Sequence, residues 1–247
     1  MSINSRTALI TGASAGIGAA FARHLASEGY ALLLVARRLD RLKELANELT
    51  AQHGVRCDVF AADLNDPAAP EEIVAFAQSQ GIAIDVLINN AGISKNGMSW
   101  KLAPRDFNEV IAVNLTAPFL LCHGVIPSMR THNFGRIINI SSVVAQTGVP
   151  GTVAYAASKA GILGMTKTIA KEVANQSITC NALALGYFDQ GMISEVSEEL
   201  QQQIIAQIPK SRLGGVETIL NTIDWLLKEE SDYITGQTIS LNGGLFT

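Results

Sequence analysis

The chain alternates between short apolar runs and longer stretches in which apolar residues recur every three or four positions. Short apolar runs bounded by glycine or polar residues are typical of buried strands, whereas the longer spacing is typical of amphipathic helices. The pattern predicts strands at 7–11, 31–35, 55–62, 84–88, 136–140, 178–180 and 238–241. Helices are predicted between them, at 17–28, 39–53, 67–80, 104–130 (long enough for two) and 153–174.

Strand runs that are apolar throughout, such as 31–35, are typical of strands buried on both faces of a sheet. Runs of this kind that alternate with helices imply parallel strands joined by right-handed crossovers. The sequence therefore predicts an α/β fold, a Rossmann-like doubly wound sheet of about seven parallel strands with helices on both faces, in one domain over 1–247. The segment 187–215 interrupts the rhythm after the sixth strand, where a substrate lid would lie.

Composition narrows the class of partner. Of 247 residues, 48% are hydrophobic and only 16% are charged, below the roughly 25% usual in soluble domains. A chain so poor in charge buries much of itself, which suits an oligomer, and we expect a homotetramer or homodimer. The net charge of −4 argues against a phosphate-binding basic surface, so a nucleic-acid partner is not expected.

The three cysteines, Cys57, Cys122 and Cys180, lack the spacing of a metal site or a redox motif. We expect free thiols in a reducing cytosol and no bound metal. The first residues lack the apolar run of a signal peptide, and no stretch approaches the roughly 20 apolar residues of a membrane span. A cytoplasmic protein without membrane association is therefore expected.

A glycine-rich turn, residues 11–18, joins the first strand to the first helix. Gly12 allows a sharp turn, and Gly16 and Gly18 allow the backbone to approach a ligand closely. The N-terminus of the helix presents free N–H groups and a positive dipole end to a phosphate. The turn therefore predicts a dinucleotide site.

The same turn also spells Gly-x-Ser-x-Gly, the nucleophile elbow of α/β-hydrolases, with Ser14 at its centre. A hydrolase of that fold would need a catalytic histidine late in the chain. No histidine follows His132, so we interpret the match as accidental.

The end of the second strand indicates the cofactor. An acidic residue there would bind the ribose 2′-hydroxyl of NAD. The position holds Ala36, and Arg37 and Arg38 follow, whose guanidinium groups match a phosphate dianion. The residues favour NADP(H), with Arg37 on the phosphate. For Arg38, a solvated charge at the start of the helix is an equally good interpretation.

Tyr155 and Lys159 lie four residues apart on a predicted helix and share one face. A nearby ammonium favours phenolate, so we expect Lys159 to lower the pKa of Tyr155 and make it a general acid–base. Ser142 follows the fifth strand, where a hydroxyl can bond to a substrate carbonyl. Asn114 is a polar residue in an apolar segment, where a buried asparagine that pairs with the backbone is the alternative.

Together these motifs resemble the short-chain dehydrogenase/reductases from about Arg6 to Gly244. The resemblance rests on the glycine turn, Asp63-Leu64 after the third strand, and Asn89-Asn90-Ala91-Gly92 after the fourth. It also rests on the order and spacing of Asn114, Ser142, Tyr155 and Lys159. Within the family, the second half of the chain is most similar to 3-oxoacyl-ACP reductases and acetoacetyl-CoA reductases.

The resemblance implies a catalytic tetrad. Tyr155 would protonate the carbonyl oxygen, Ser142 would polarise it, Lys159 would assist Tyr155 and bind the nicotinamide ribose, and Asn114 would hold a water. It implies cofactor contacts from Gly12, Ser14, Ile17, Gly18, Arg37, Asp63, Leu64, Asn90, Ala91, Tyr155, Lys159 and Phe188.

The implied activity is NADPH-dependent reduction of a 3-oxoacyl thioester of ACP or CoA. The resemblance thus also implies the acyl-carrier protein as a candidate partner. The alternatives are reduction of another small ketone, a steroid or a sugar, and NADP(H) binding without catalysis.

The chain departs from the family pattern at several positions. Leu185 stands where the family has proline after the sixth strand, and Gln190 replaces a threonine that contacts the nicotinamide. Asn133 and Gln176 occupy positions where carrier-dependent reductases commonly have arginine. These last differences weaken the case for the carrier protein and leave CoA thioesters or free ketones open.

Overall fold

The computed structural model describes residues 6–191, 193 and 197–247. Its seven strands are β1 (Thr7–Thr11), β2 (Ala31–Ala36), β3 (Cys57–Ala61), β4 (Val86–Asn89), β5 (Gly135–Ser142), β6 (Ile178–Leu185) and β7 (Thr238–Leu241). They form one parallel sheet in the order β3-β2-β1-β4-β5-β6-β7. The predicted doubly wound α/β fold is confirmed, and the topology reverses between β1 and β4.

Helices cover both faces of the sheet. They are α1 (Gly16–Ser27), α2 (Leu39–His53), α3 (Ala69–Ser79), α4 (Pro104–Ile111), α5 (Ala117–His132), α6 (Val144–Thr147), α7 (Val153–Val173), α8 (Glu198–Gln207) and α9 (Val216–Leu227). A π-helical turn, Ala112–Thr116, joins α4 to α5, and a 3₁₀ turn, Glu229–Ser231, follows α9.

The alternation of side chains along each strand builds two cores. Ile10 points into the core shared with α1, α2 and α9, where Phe21 is fully buried. Its neighbour Leu9 points into the opposite core, shared with α3, α5 and α7, where Leu121 is fully buried. Because both faces are covered, the strands carry apolar residues at consecutive positions.

Strands β5 and β6 are longer than the pattern predicts. The predicted strands 136–140 and 178–180 end at residues 140 and 180, where polar residues follow. Every residue of both observed strands is nevertheless buried. Ser141 and Asn181, the first polar residues beyond the predicted ends, are accommodated because their side chains find partners inside the protein. The extension carries β5 as far as Ser142.

The long helical stretch predicted at 104–130 is two helices with a wide turn between them. Pro104–His132 is also long and apolar enough to span a membrane by length and composition, with a mean hydropathy of 1.7 in its most apolar window. The expectation that no stretch comes near this limit was therefore wrong. One face of α5 packs into the core through residues such as Leu121 and Val125, and core helices of soluble proteins share these properties.

A buried chain of hydrogen bonds connects the sheet to α7. Asn89 Nδ2 on β4 donates to Asn139 Oδ1 on β5 over 2.8 Å, and Asn139 Nδ2 donates to Thr166 Oγ1 on α7 over 2.9 Å. All three side chains are buried. These hydrogen bonds fix α7, which also carries Tyr155 and Lys159, against the middle of the sheet.

Replacing Asn139 with alanine should lower the free energy of unfolding by on the order of 2–3 kcal/mol, because the buried polar groups of Asn89 and Thr166 lose their partner. Asn108→Ala, at an exposed position, is the matched control and should change it by about 0.5 kcal/mol or less. Urea unfolding measures both, and equal stabilities of the two variants would show that the chain does not hold α7.

Candidate active site

Hydrogen bonds between strand ends hold the carboxyl edge of the sheet together at the topological switch. Thr11 Oγ1, at the end of β1, accepts from the backbone N–H groups of Asn90 and Ala91, each over 3.0 Å. In return, Asn90 Nδ2 donates to the carbonyl oxygen of Thr11 over 2.9 Å. This edge is where ligands bind in open α/β sheets.

The glycine turn adopts a conformation that side chains would prevent. Gly12 and Gly16 have φ values of 69° and 54°, in the left-handed region. A Cβ on Gly18 would lie 2.2 Å from the carbonyl oxygen of Gly12, so only glycine allows this close approach. The N-cap residue of α1, Ala15, makes no side-chain cap, which suits the binding of a phosphate by the N–H groups of the first turn.

A cavity of about 180 Å³ lies beside this turn and brings together half of the expected cofactor residues. Gly12, Ser14, Arg37, Asp63, Leu64 and Ala91 line it. Two guanidinium groups and a turn of free N–H groups are the chemistry that a dinucleotide with an additional phosphate requires, so the residues present fit the cofactor.

Arg38 also lines this cavity, and its Nη2 donates to Ser14 Oγ over 3.2 Å. Its guanidinium therefore faces the glycine turn, and Arg38 is at the same time exposed at the start of α2, so both interpretations of this residue stay predictions. Glu109, on α4, also lines the cavity, and its carboxylate pairs with Lys95 Nζ at 3.0 Å. This pairing offsets a charge that would repel a phosphate.

Two other expected cofactor residues lie elsewhere. The ring of Phe188 is buried and packs so closely on Gly214 that a Cβ there would lie 2.6 Å from it. Ile17, on the first turn of α1, lies near Gly191. Cofactor contacts from these two residues, like those from the other expected residues, remain predictions.

Asn114 occupies the π-helical turn between α4 and α5. Its Oδ1 accepts from the backbone N–H of Ile93, and its Nδ2 donates to the carbonyl oxygen of Ile93, each over 2.9 Å. Nδ2 also donates to Ser158 Oγ over 3.1 Å. The carboxamide thus pairs with the loop after β4 and with α7, as the structural alternative for this residue predicts. π-Helical turns are frequent at functional sites.

Lys159 is buried at the same edge. Its Nζ donates to the carbonyl oxygen of Ile140 over 2.7 Å, and burial lowers the pKa of its ammonium to about 8. A Cβ on Gly92 would lie 3.4 Å from both Lys159 Nζ and Asn114 Oδ1. Glycine at this position therefore leaves room in front of both polar groups.

Tyr155 and Ser142 lie together at the end of β5. Ser142 Oγ accepts from the backbone N–H of Val144 over 3.2 Å, and its hydrogen bond to the Tyr155 phenol favours phenolate. Burial acts in the opposite direction and is the larger effect, so the pKa of Tyr155 is raised. The expected lowering of this pKa by Lys159 was wrong for this structure, where Lys159 Nζ lies 5.8 Å from the centre of the Tyr155 ring.

The motif-based prediction missed several neighbours of Tyr155. Val143, Val144 and Leu245 form an apolar cluster with it, and the half-buried Tyr187 lies close enough to raise its pKa further. Tyr187 directly follows Gly186 at the end of β6, a position that could have indicated it. Leu245 comes from the end of the chain, and no local pattern connects it to Tyr155.

The predicted lid, 187–215, contains one described helix, α8. Ser197 caps it by accepting from the N–H of Leu200, and none of its residues is buried. Residues 192 and 194–196 of this segment lie outside the described residues. An exposed helix beside the carboxyl edge suits a lid, which remains a prediction.

Comparison with known proteins identifies the family. The family model described as short chain dehydrogenase matches residues 6–201. The chain belongs to the short-chain dehydrogenase family. The resemblance based on its motifs is confirmed, and the chain is an oxidoreductase that acts on ketone or hydroxyl groups with a nicotinamide nucleotide.

Similar curated proteins extend over nearly the whole chain. It is 39% identical over 243 residues, 98% of each chain, to nodulation protein G of Rhizobium sp. (strain N33). The same identity and coverage are found with the 3-oxoacyl-[acyl-carrier-protein] reductase FabG of Rickettsia bellii. The reductase of that name from Aquifex aeolicus is 37% identical over 246 residues, 99% of this chain and 98% of its own.

The buried Lys159 should make stability depend on pH in a definable direction. Below pH 8 the Lys159 ammonium is charged in both the native and the unfolded protein, and its burial destabilises the native state. Between about pH 8 and its ordinary pKa of about 10.4, only the unfolded state holds the proton, so stability rises with pH. From pH 8 to 10, wild type should gain on the order of 2 kcal/mol relative to Lys159→Met in urea unfolding.

Lys171→Met, at an exposed position on the same helix, is the control and should show no such gain. A constant difference between wild type and Lys159→Met across this pH range would contradict a lysine with a lowered pKa.

Proposed function

We propose that this short-chain dehydrogenase is an NADPH-dependent ketoreductase that reduces a 3-oxoacyl thioester to the 3-hydroxyacyl thioester. The observation that carries the proposal is the placement of Ser142, Tyr155 and Lys159 at the end of β5, beside a cavity lined by Arg37 and Arg38. The names of the similar reductases support the thioester class of substrate.

Each side chain has a role in the reduction. When bound, the nicotinamide supplies the hydride. Tyr155 donates its phenolic proton to the substrate carbonyl oxygen, and burial favours the protonated form that holds this proton. Ser142 Oγ accepts from Val144 N–H and pairs with the Tyr155 phenol, and with substrate bound its hydroxyl hydrogen would turn to the same carbonyl oxygen. Lys159 faces the opening at Gly92, where it can bind the ribose and help reprotonate Tyr155.

The choice of NADP(H) follows from the end of β2. Ala36 offers no carboxylate to a ribose 2′-hydroxyl, whereas Arg37 and Arg38 offer two guanidinium groups to a 2′-phosphate. Arg38 donates to Ser14 Oγ, and this contact supports a role for the Ser14 hydroxyl beside the same phosphate. We assign the phosphate to both arginines, with Arg37 as the primary contact.

The residues of this chain do not favour one carrier of the acyl group, CoA or the acyl-carrier protein, over the other. At the positions where carrier-dependent reductases commonly have arginine, Asn133 Oδ1 accepts from Ser177 N–H and Gln176 Oε1 accepts from Arg130 Nε. Arg130 thus supplies one cation on this surface. We propose that the enzyme accepts 3-oxoacyl thioesters of CoA as well as those of the acyl-carrier protein.

We further propose one domain with α8 as its lid, a homotetramer or homodimer, and a cytoplasmic location. Exposed apolar side chains support the oligomer: Phe119 on α5 is 50% exposed and Trp225 on α9 is 46% exposed. Burial of such side chains between subunits would be favourable.

The function is tested by oxidation of NADPH with acetoacetyl-CoA as substrate, for wild type and Tyr155→Phe. Wild type should turn over, whereas Tyr155→Phe should lose about 100-fold or more in kcat, because no proton reaches the carbonyl oxygen. NADPH binding, measured by fluorescence, should be retained in the variant. Full activity of Tyr155→Phe would overturn the role of this residue, and turnover of simple ketones alone would overturn the thioester assignment.

Cofactor preference is tested with Arg37→Ala and Arg38→Ala. Each should raise KM for NADPH, Arg37→Ala by about tenfold or more, because a charge-assisted hydrogen bond to the 2′-phosphate is lost. KM for NADH should change little. Arg41→Ala, exposed on α2, is the control. Parallel changes in KM for both cofactors would contradict a phosphate contact.

A further inference from the structure

A second cavity, of about 300 Å³, opens at the ends of β6 and β7. Tyr187 and Leu213 form part of its wall, together with the segment Leu241–Gly244 that follows β7. Lys210 and Arg212 also line it. Neither the cofactor motifs nor the proposed tetrad account for these two cations.

The charge of this cavity differs from that of its neighbours. Four other cavities of the described structure each include a carboxylate, among them those of Asp63, Asp85 and Asp106. Among the described residues, no carboxylate lines the cavity at β6 and β7, and none pairs with Lys210 or Arg212. On a chain with a net charge of −4, this is a local site of positive potential.

Backbone hydrogen bonds fix the turn that carries the two exposed cations, and Arg212 Nη1 donates to the carbonyl oxygen of Leu213 on the cavity wall over 3.1 Å. Ser211, between them, has a φ of 51°, a left-handed conformation that is uncommon for serine. Its N–H donates to the carbonyl oxygen of Ile208 over 2.7 Å, and the N–H of Lys210 donates to that of Gly243 over 3.2 Å. These bonds tie the turn to the segment after β7. Strained residues of this kind cluster at ligand sites.

The cavity lies on the substrate side of the active site. Tyr187 borders both the cavity and Tyr155, and Ser240 of the cavity wall accepts from Gln146 Nε2, on α6 just beyond Ser142, over 3.2 Å. In the sheet, β5 separates β6 and β7 from the cofactor cavity at β1, β2 and β4. Two strand spacings separate β5 from β7, about 10 Å.

We propose that Lys210 and Arg212 bind the phosphate of the 4′-phosphopantetheine arm, which CoA and acyl-carrier protein share. This inference rests on the proposed function. The 3-oxo carbonyl that is reduced would lie at Ser142 and Tyr155, with the thioester next to it, and the arm would extend past Tyr187 to the two cations. The phosphate is anionic and accepts charge-assisted hydrogen bonds, which guanidinium and ammonium groups supply. The hydroxyls of Tyr187 and Thr218 on the cavity wall add neutral donors.

The test compares acetoacetyl-4′-phosphopantetheine with acetoacetyl-pantetheine, which lacks the phosphate. Wild type should have a KM about tenfold lower for the phosphorylated thioester, a factor that corresponds to about 1.4 kcal/mol. The double variant Lys210→Gln/Arg212→Gln should abolish this preference through KM, with kcat for both substrates within about twofold of wild type. The unphosphorylated substrate also shows whether the variant is folded and active.

The control variant, Arg41→Gln/Lys171→Gln, removes the same charge from exposed positions on α2 and α7 and should keep the preference. If both the double variant and the control lost the preference for the phosphorylated thioester, the preference would come from the overall charge of the protein. That result would overturn the site. The same variants are then assayed with acetoacetyl-CoA and with the acetoacetyl thioester of acyl-carrier protein. The carrier whose KM rises in the double variant Lys210→Gln/Arg212→Gln is the one that supplies the phosphate.

The outcomes separate this inference from the proposed function. Wild type that reduces the thioesters with no preference for phosphate, or a double variant that keeps the preference, overturns the phosphate site and leaves the ketoreductase intact. Wild type that reduces none of the thioesters overturns the proposed function, and the phosphate site with it.

Discussion

The site depends on the pairing of backbone polar groups at the carboxyl edge of a parallel sheet that helices cover on both faces. Where the strands end, the regular pattern of strand-to-strand hydrogen bonds stops, yet the edge remains buried, so side chains must supply the missing partners. Thr11 pairs with the N–H groups after β4, Lys159 with the carbonyl oxygen of Ile140, and Asn114 with both backbone groups of Ile93. The polar groups that complete the fold at this edge are therefore also those available for chemistry. Stability and geometry of the site cannot be changed separately.

The sheet order divides this edge into two regions with different charge arrangements. On one side of β5, arginines and a turn of free N–H groups surround the cavity at β1 and β2, where acidic groups are also present and Glu109 is neutralised by Lys95. On the other side, the cavity at β6 and β7 carries cations without a lining carboxylate among the described residues. Ser142, at the end of β5, lies between them. A single strand thus separates the region suited to the dinucleotide from the region suited to the substrate arm.

The sequence allowed the elements to be predicted where one physical signal dominates. Strand β1 and helix α2 begin and end as predicted, because an uninterrupted apolar run ends at Gly12 and an amphipathic helix ends at Gly54 in the left-handed conformation. The ends of β5 and β6 were missed because Ser141 and Asn181, the first polar residues beyond the predicted strands, are paired only in the tertiary structure. The same holds for the site. Motif spacing brings the four expected catalytic residues to one edge, but the pKa of Tyr155 depends on burial by residues distant in the chain.

The π-helical turn at Ala112–Thr116 has a consequence for how this region tolerates changes in chain length. Its wider turn contains one residue more than a regular helical turn, which rotates α5 by about 100° relative to a continuous helix from α4. Removing one residue here would restore regular helical geometry, yet it would turn the Asn114 carboxamide away from Ile93 and the buried face of α5 away from the sheet. A deletion that improves local helical regularity would thus disrupt both the core and the active site. This short segment should be among the least tolerant of insertions and deletions, although it lies within a helix.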